Sequence, residues 1–143
     1  MERQRTRYGF VLRLERGEEI VETLNAFAAA EDVRAGLVSG VGAAEQIELG
    51  FLVLGKREYV RRLFAGEHEI APLAGNFSEL DGAPFLHAHV TIAGDDFAAY
   101  AGHLFRGVVT ATLEVQVVTD PGVTLRVRRP DLGFNPLRLE PPR

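Results

Sequence analysis

Cysteine is absent from the 143 residues of the chain, and this absence excludes disulfide bonds, thiolate zinc sites and cysteine nucleophiles together. No apolar run approaches the roughly 20 residues that a bilayer-spanning helix needs. The opening residues lead into no apolar segment of the kind found in a signal peptide. We therefore expect a cytoplasmic protein that does not contact the membrane.

Lysine is nearly absent as well, and the formal net charge is −4. A strongly basic nucleic-acid binder needs clustered cationic side chains, so the overall balance argues against that class. Arginine is abundant, and it clusters near the two ends of the chain. The clustered residues are Arg3, Arg5, Arg7, Arg126, Arg128 and Arg129. The simplest interpretation of both clusters is solvated surface charge.

The length fits a single domain, and no internal repeat, linker or low-complexity segment divides it. We predict a short basic N-terminal arm at 1–7, a folded domain at 8–129 and a proline-rich tail at 130–143. The tail is expected to pack on the domain or on a neighbouring subunit.

Hydrophobic periodicity predicts one helix and many strands. Alternating apolar residues at 8–14 predict a half-buried strand, and helical spacing over 18–32 predicts an amphipathic helix. A glycine turn is predicted at 40–42. Further short strands are predicted at 35–39, 44–54, 58–64, 67–72, 73–80, 85–93, 108–119 and 124–128. One early helix followed by many strands indicates an α+β fold with a largely antiparallel sheet.

The segment 85–93 carries the strongest chemical signal. Side chains alternate between the two faces of a strand, so Leu86, Ala88, Val90 and Ile92 form an apolar face. His87 and His89 share the opposite face, where their imidazoles can converge on one ion.

A third histidine, His103, follows Gly102 in the predicted connection to the next strand, so three of the four histidines cluster. Three neutral imidazoles with an open fourth position resemble a catalytic zinc site more than a structural one. Zinc is the favoured metal, although imidazole also suits copper, nickel and iron. The alternative interpretation is a pair of polar residues on a solvated face.

Three carboxylates are candidate general bases beside such a site. If the strands at 85–93 and 108–119 pair, Glu114 is expected to lie beside the histidines. Asp95 and Asp96 follow the histidine strand and are the other candidates, although an acidic pair in this position more often forms a turn.

Five short segments also occur in a familiar order along the chain. They are Ala35–Ala43 (AGLVSGVGA), Glu69–Asn76 (EIAPLAGN), Pro84–Val90 (PFLHAHV), Gly102–Gly107 (GHLFRG) and Thr112–Val115 (TLEV). Together they resemble the PPC domain, which is shared by plants and prokaryotes and occurs in plant AT-hook nuclear proteins and in stand-alone bacterial and archaeal proteins. The likeness runs from about Tyr8 to Leu139.

This resemblance implies an antiparallel sheet flanked by helices and assembly into homotrimers. It also implies a metal at His87, His89 and His103, as in some prokaryotic members. Plant members bind AT-rich DNA through a separate Arg-Gly-Arg-Pro hook that enters the minor groove. That tetrapeptide is absent here, so the family's DNA-binding role transfers poorly to this chain.

Three functional hypotheses remain open at this point. The first is a trimeric metal-binding module that works through protein partners in regulation or on chromatin. The second is a metal-dependent hydrolase or lyase that acts on a small molecule, with zinc-bound water at the three histidines and one of the carboxylates as base. The third is direct DNA binding by arginine clusters brought together on one face of a trimer.

Overall fold

The fold combines one helix with an extensive sheet in a computed structural model that describes residues 1–139. The helix α1 is Ile20–Ala30. The strands are β1 Glu2–Thr6, β2 Gly9–Glu15, β3 Gly36–Val53, β4 Glu58–Phe64, β5 His68–Leu80, β6 Ala83–Ala93, β7 Ala99–Thr119, β8 Leu125–Arg126 and β9 Leu137–Arg138. Within residues 1–139, no helix has the length and apolar character that crossing a membrane requires.

The strands belong to one nine-stranded sheet that curls back on itself. The longest strand, β7, pairs antiparallel with β2, β3 and β6. β5 pairs with both β3 and β6, so the strands β3, β7, β6 and β5 close a ring of hydrogen-bonded neighbours. Among residues 1–139, the only parallel pairing joins β5 to β8. The predicted α+β, single-domain, largely antiparallel fold is confirmed.

The resemblance implied that more than one helix flanks the sheet. This expectation is wrong for the described residues, which contain α1 alone. The carboxylate of Glu19 caps this helix by accepting the Glu22 N–H at 2.6 Å. Ile20, Leu24 and Phe27 recur at helical spacing and are almost fully buried, so the helix covers the apolar face of the sheet.

β3 and β5 are longer than the periodicity predicted, because irregular positions do not end them. The predicted turn at 40–42 lies inside β3, where the register with β5 shifts between Gly40 and Gly42. The two strands predicted at 67–72 and 73–80 are the single strand β5, whose register with β6 shifts between Ile70 and Leu73. A bulge inserts an unpaired residue and bends a strand without ending it, and such a break in alternation resembles a turn in sequence.

Both predicted terminal segments are joined to the sheet where they are described. Residues 1–7 are not a free arm, because β1 pairs along its full length with β2 and its arginines form ion pairs with Glu31. In the tail, β9 pairs with β8, and Val127 donates its N–H to the Pro136 carbonyl at 3.1 Å. Residues 140–143 of the tail lie outside the described residues.

Candidate metal centre and adjoining cavity

The three histidines meet on one face of the β6–β7 hairpin. His89 of β6 lies directly opposite His103 of β7, and His87 lies two residues earlier on the same face of β6. The ring centroids form a nearly equilateral triangle with sides of 5.3, 5.3 and 5.5 Å. One nitrogen from each ring lies within 4.8 Å of the others. The structure therefore brings together the three side chains that the sequence singled out.

His103 differs from the prediction in its local structure. It was expected in a connection, but β7 already begins at Ala99, so His103 lies on a strand. The hairpin turn occupies only 94–98, where Gly94 accepts the Phe97 N–H at 3.0 Å and Asp96 accepts the Ala98 N–H at 2.9 Å. All three imidazoles consequently project from regular β-structure.

The backbone of β6 is held firmly on both sides of its histidines. Leu86, Ala88, Val90 and Ile92 are all buried, as the alternation predicted. The Leu86 N–H is donated to the Asn25 side chain of α1 at 2.9 Å. Gly75 of β5 lies so close that an added Cβ would stand 2.1 Å from the His87 carbonyl oxygen. Glycine at this position therefore lets β5 approach the strand that carries His87.

The chemistry of the donor set fits a divalent metal. Nδ1 of His103 is buried and has no hydrogen-bond partner among the described residues, and a coordinated ion would satisfy it. Burial lowers the pKa of His87 to about 4, with further contributions from the charges of Arg126 and His89. Burial likewise lowers the pKa of His103 to about 4, assisted by the other two histidines and by Arg61 and Arg126. Both rings are thus neutral at pH 7, which is the state that binds metal.

The ring nitrogens of the triad are slightly farther apart than the ligand nitrogens of a bound ion would be. Tetrahedral coordination at 2.0–2.1 Å places ligand nitrogens about 3.3 Å apart. The most distant pair of nitrogens must therefore approach by no more than about 1.5 Å, which small rotations of the imidazoles can supply. The three residues fit a zinc-type ion without any movement of the strands.

A cavity of about 740 Å³ adjoins His87 and His103. Its aromatic walls include Tyr59, Phe85, Phe105 and Phe134, and a second hollow of about 570 Å³ opens beside His89. Tyr59 lines both spaces, and its ring centroid is 5.3 Å from that of His103. Burial raises the pKa of Tyr59. The triad therefore faces space large enough for a small organic molecule.

Arg126 is the site residue that the sequence did not distinguish. It was interpreted as part of a solvated cluster, yet it is only 8% exposed and lines the larger cavity. Its guanidinium donates to Ser78 Oγ at 2.7 Å, to the Asn135 carbonyl at 2.8 Å and to Asn76 Oδ1 at 2.8 Å. Strand alternation would place Arg126 on the face opposite the apolar side chains of Leu125 and Val127, so no signal in the sequence indicated its burial.

The three carboxylates that were proposed as general bases do not lie beside the histidines. Glu114 pairs with Arg13 of β2 and Val41 of β3, and it lies eleven residues beyond His103 along β7, about 36 Å at the usual rise per residue. The expected neighbourhood is wrong because β6 pairs with the first residues of β7, rather than with 108–119. Asp95 and Asp96 occupy the hairpin turn, as their alternative interpretation held, and neither lines the cavities.

The arginine clusters are largely neutralised by neighbouring carboxylates. Arg3 and Arg5 both pair with Glu31, at 2.9 and 3.0 Å. Arg128 pairs with Asp81 at 2.5 Å, and Arg129 pairs with its near neighbour Asp131 at 2.6 Å. These pairs reduce the positive charge available to a phosphate backbone.

The protein is thus a small, mostly antiparallel α+β domain that carries a histidine triad on one hairpin. The sequence profile of the Plants and Prokaryotes Conserved (PCC) domain matches residues 1–120. The chain belongs to this family, and the resemblance to the PPC domain is confirmed. Comparison with curated proteins gave no match.

Solved structures with the same fold cover nearly the whole chain. A "putative DNA binding protein" of Bacteroides thetaiotaomicron is 28% identical over 96% of both chains, with a TM-score of 0.92. A metal-containing protein of Archaeoglobus fulgidus is 30% identical, with 96% of this chain and 97% of that chain covered and a TM-score of 0.84. A plant- and prokaryote-conserved (PPC) protein of Pyrococcus horikoshii is 26% identical over 91% of both chains, with a TM-score of 0.79.

Proposed function

We propose that this protein is a divalent-metal-binding module of the PCC family, in which His87, His89 and His103 hold zinc or a similar transition metal. The observation that carries the proposal is the convergence of three imidazoles, one of which has a buried nitrogen without a hydrogen-bond partner among the described residues. The metal-containing relative from Archaeoglobus fulgidus supports it. We expect the protein to work in the cytoplasm through protein partners, in a regulatory or DNA-associated role.

Homotrimeric assembly is part of this proposal. Leu37 and Val118 are paired neighbours on the outer face of β3 and β7, and they are 67% and 49% exposed. Val41 adds a third exposed apolar side chain on the same face of β3, at 56%. An apolar patch on a sheet favours burial against another subunit, and a trimer is the assembly that we expect from the family resemblance.

A metal-dependent hydrolase or lyase is the second candidate, and the cavity beside the triad favours it. A bound divalent ion would supply Lewis-acid chemistry toward an oxygen ligand in that cavity. His87, His89 and His103 would hold and orient the ion, while the aromatic walls would exclude water from part of the space. Among residues 1–139, no Asp or Glu lines either cavity, so proton transfer would need a group from the ligand or from another subunit.

Direct DNA binding is the weakest candidate despite the description of the Bacteroides relative. Four of the six clustered arginines, Arg3, Arg5, Arg128 and Arg129, are paired with carboxylates, Arg126 is buried, and the net charge is −4. Affinity for a duplex that arose from these arginines would fall steeply with salt. A fluorescence-anisotropy titration with duplex DNA at low salt that stays flat would eliminate this function.

Elemental analysis of the purified protein tests the metal proposal most directly. We expect about one transition-metal ion per chain in the wild type and none in His87→Ala/His89→Ala. His68→Ala is the matched control, because His68 is the remaining histidine and its ring contacts the Gly66 carbonyl outside the triad. Equal metal content in all three proteins, or no metal after growth and reconstitution with zinc, would contradict the proposal.

A further inference from the structure

The larger cavity contains a buried cation that has no counter-ion in the described part of the chain. Arg126 is only 8% exposed, and no carboxylate oxygen of residues 1–139 lies within 4.0 Å of its guanidinium. A buried charge without a partner of opposite sign is costly. Its position is therefore best explained by an anion that enters the cavity.

The hydrogen bonds of Arg126 leave donors for such an anion. A guanidinium has five N–H donors, and three of them are used by Ser78, Asn76 and Asn135. One N–H remains on each terminal nitrogen. The three bonds also fix the plane of the guanidinium, so the two remaining donors are held in place before a ligand arrives.

The rest of the described cavity wall offers Arg126 no compensating negative charge. No Asp or Glu is among its described lining residues, although the chain contains 20 acidic residues and has a net negative charge. Arg61 also lines the wall, with its guanidinium 3.7 Å from the centroid of the Phe105 ring, but Glu48 pairs with it at 3.5 Å. Arg126 is therefore the cation of the described lining that lacks a carboxylate partner, and its charge would attract an anion into the cavity.

We propose that this cavity binds a small organic carboxylate, whose two oxygens accept the free N–H donors of Arg126 while its apolar body lies against Phe85, Phe105 and Phe134. The planar guanidinium matches a planar carboxylate better than a tetrahedral anion. Because His87 and His103 line the same cavity, the bound molecule would extend toward the triad. The carboxylate site depends on Arg126 and does not require a metal.

Benzoate is a suitable probe, because it combines a carboxylate with an aromatic body that fits the cavity. Calorimetric titration of the metal-free full-length protein in a chloride-free buffer should show saturable benzoate binding. Benzamide, its neutral counterpart of equal shape, should bind at least about tenfold more weakly because it lacks the charge-assisted hydrogen bonds. Phenyl phosphate tests whether the site instead prefers a tetrahedral anion.

Two variants locate the binding. Arg126→Gln should weaken benzoate binding about ten- to a hundredfold, whereas Arg128→Gln should leave it unchanged, because Arg128 is exposed and paired with Asp81. Arg126→Lys keeps the charge but loses the planar pair of donors, so it should show intermediate affinity and lose the preference over phenyl phosphate. It also provides a folded comparison if Arg126→Gln is unstable.

The outcomes separate this proposal from the metal proposal. Absence of benzoate binding to the wild type, equal binding of benzamide, or unchanged binding in a folded Arg126 variant would overturn the carboxylate site. Stronger binding of phenyl phosphate than of benzoate would overturn the assignment to carboxylates. Because every titration uses metal-free protein, failure of the triad to bind metal would leave these results unaffected.

Discussion

Acidification should destabilise the metal-free protein through the two most buried histidines of the triad. The pKa of His87 and the pKa of His103 are both lowered to about 4, whereas an unfolded chain protonates histidine near pH 6.5. Between these values the unfolded state binds protons that the folded state does not bind. Stability is therefore retained above about pH 6.5, falls as the pH decreases from there, and stops falling from this cause below about pH 4.

The size of the effect follows from the two shifts. Proton linkage between pH 7 and pH 4.5 gives at most about 2.4 kcal/mol for each histidine, because one pKa unit corresponds to 1.36 kcal/mol. Solvent screening reduces this figure for half-buried rings, so about half of it is realistic. We expect a loss of about 2–3 kcal/mol for the pair.

Urea unfolding at pH 7 and pH 4.5 in the presence of a chelator measures this loss. The comparison variant is His87→Gln/His103→Gln, which cannot be protonated at either position but retains all the carboxylates of the wild type. Subtracting its pH dependence removes the general acid denaturation that those carboxylates cause. Protein concentration must be equal in all experiments, because assembly would contribute to stability. If the wild type and the variant lose the same free energy of unfolding, the two rings are not buried as the structure indicates.

Three further predictions concern metal binding and assembly. Gly75→Ala should displace the backbone at His87 and weaken zinc binding about tenfold or more by calorimetry, whereas Gly66→Ala, where an added Cβ meets nothing within 4 Å, should have no effect. Zinc at a hundredfold excess over its Kd should add about 2.7 kcal/mol to the free energy of unfolding of the wild type; a similar gain in His87→Ala/His89→Ala would refute specific binding. Val41→Arg places a charge on the exposed apolar face of β3, so it should convert the proposed trimer into monomers. Sedimentation velocity measures this change, and a sedimentation coefficient equal to that of the wild type would exclude that face as the interface.

The sequence predicted those features that depend on local alternation. Leu86 and Val90 are buried and His87 shares a face with His89, because the period of a strand alone determines these directions. The helix was also predictable, since Ile20, Leu24 and Phe27 follow the helical period.

Features that depend on distant neighbours were not predictable in the same way. The burial of Arg126 depends on Ser78 and Asn135, which come from separate segments of the chain. The location of Glu114 depended on which part of β7 pairs with β6, and the five-residue hairpin turn decides this. Residue type alone does not reveal either relationship.

The tight turn at 94–98 has a consequence for how the ligand set can be inherited among related chains. Side chains on a strand change face at each residue. If a one-residue deletion in this turn were absorbed by a shift of the β6–β7 pairing, so that the turn kept five residues, Leu104 would lie opposite His89 and the imidazole of position 103 would point to the reverse side. Such a chain would keep all three histidines in its sequence and still lack the cluster. The pairing register set at this turn thus determines whether a relative that has the three histidines can bring them together.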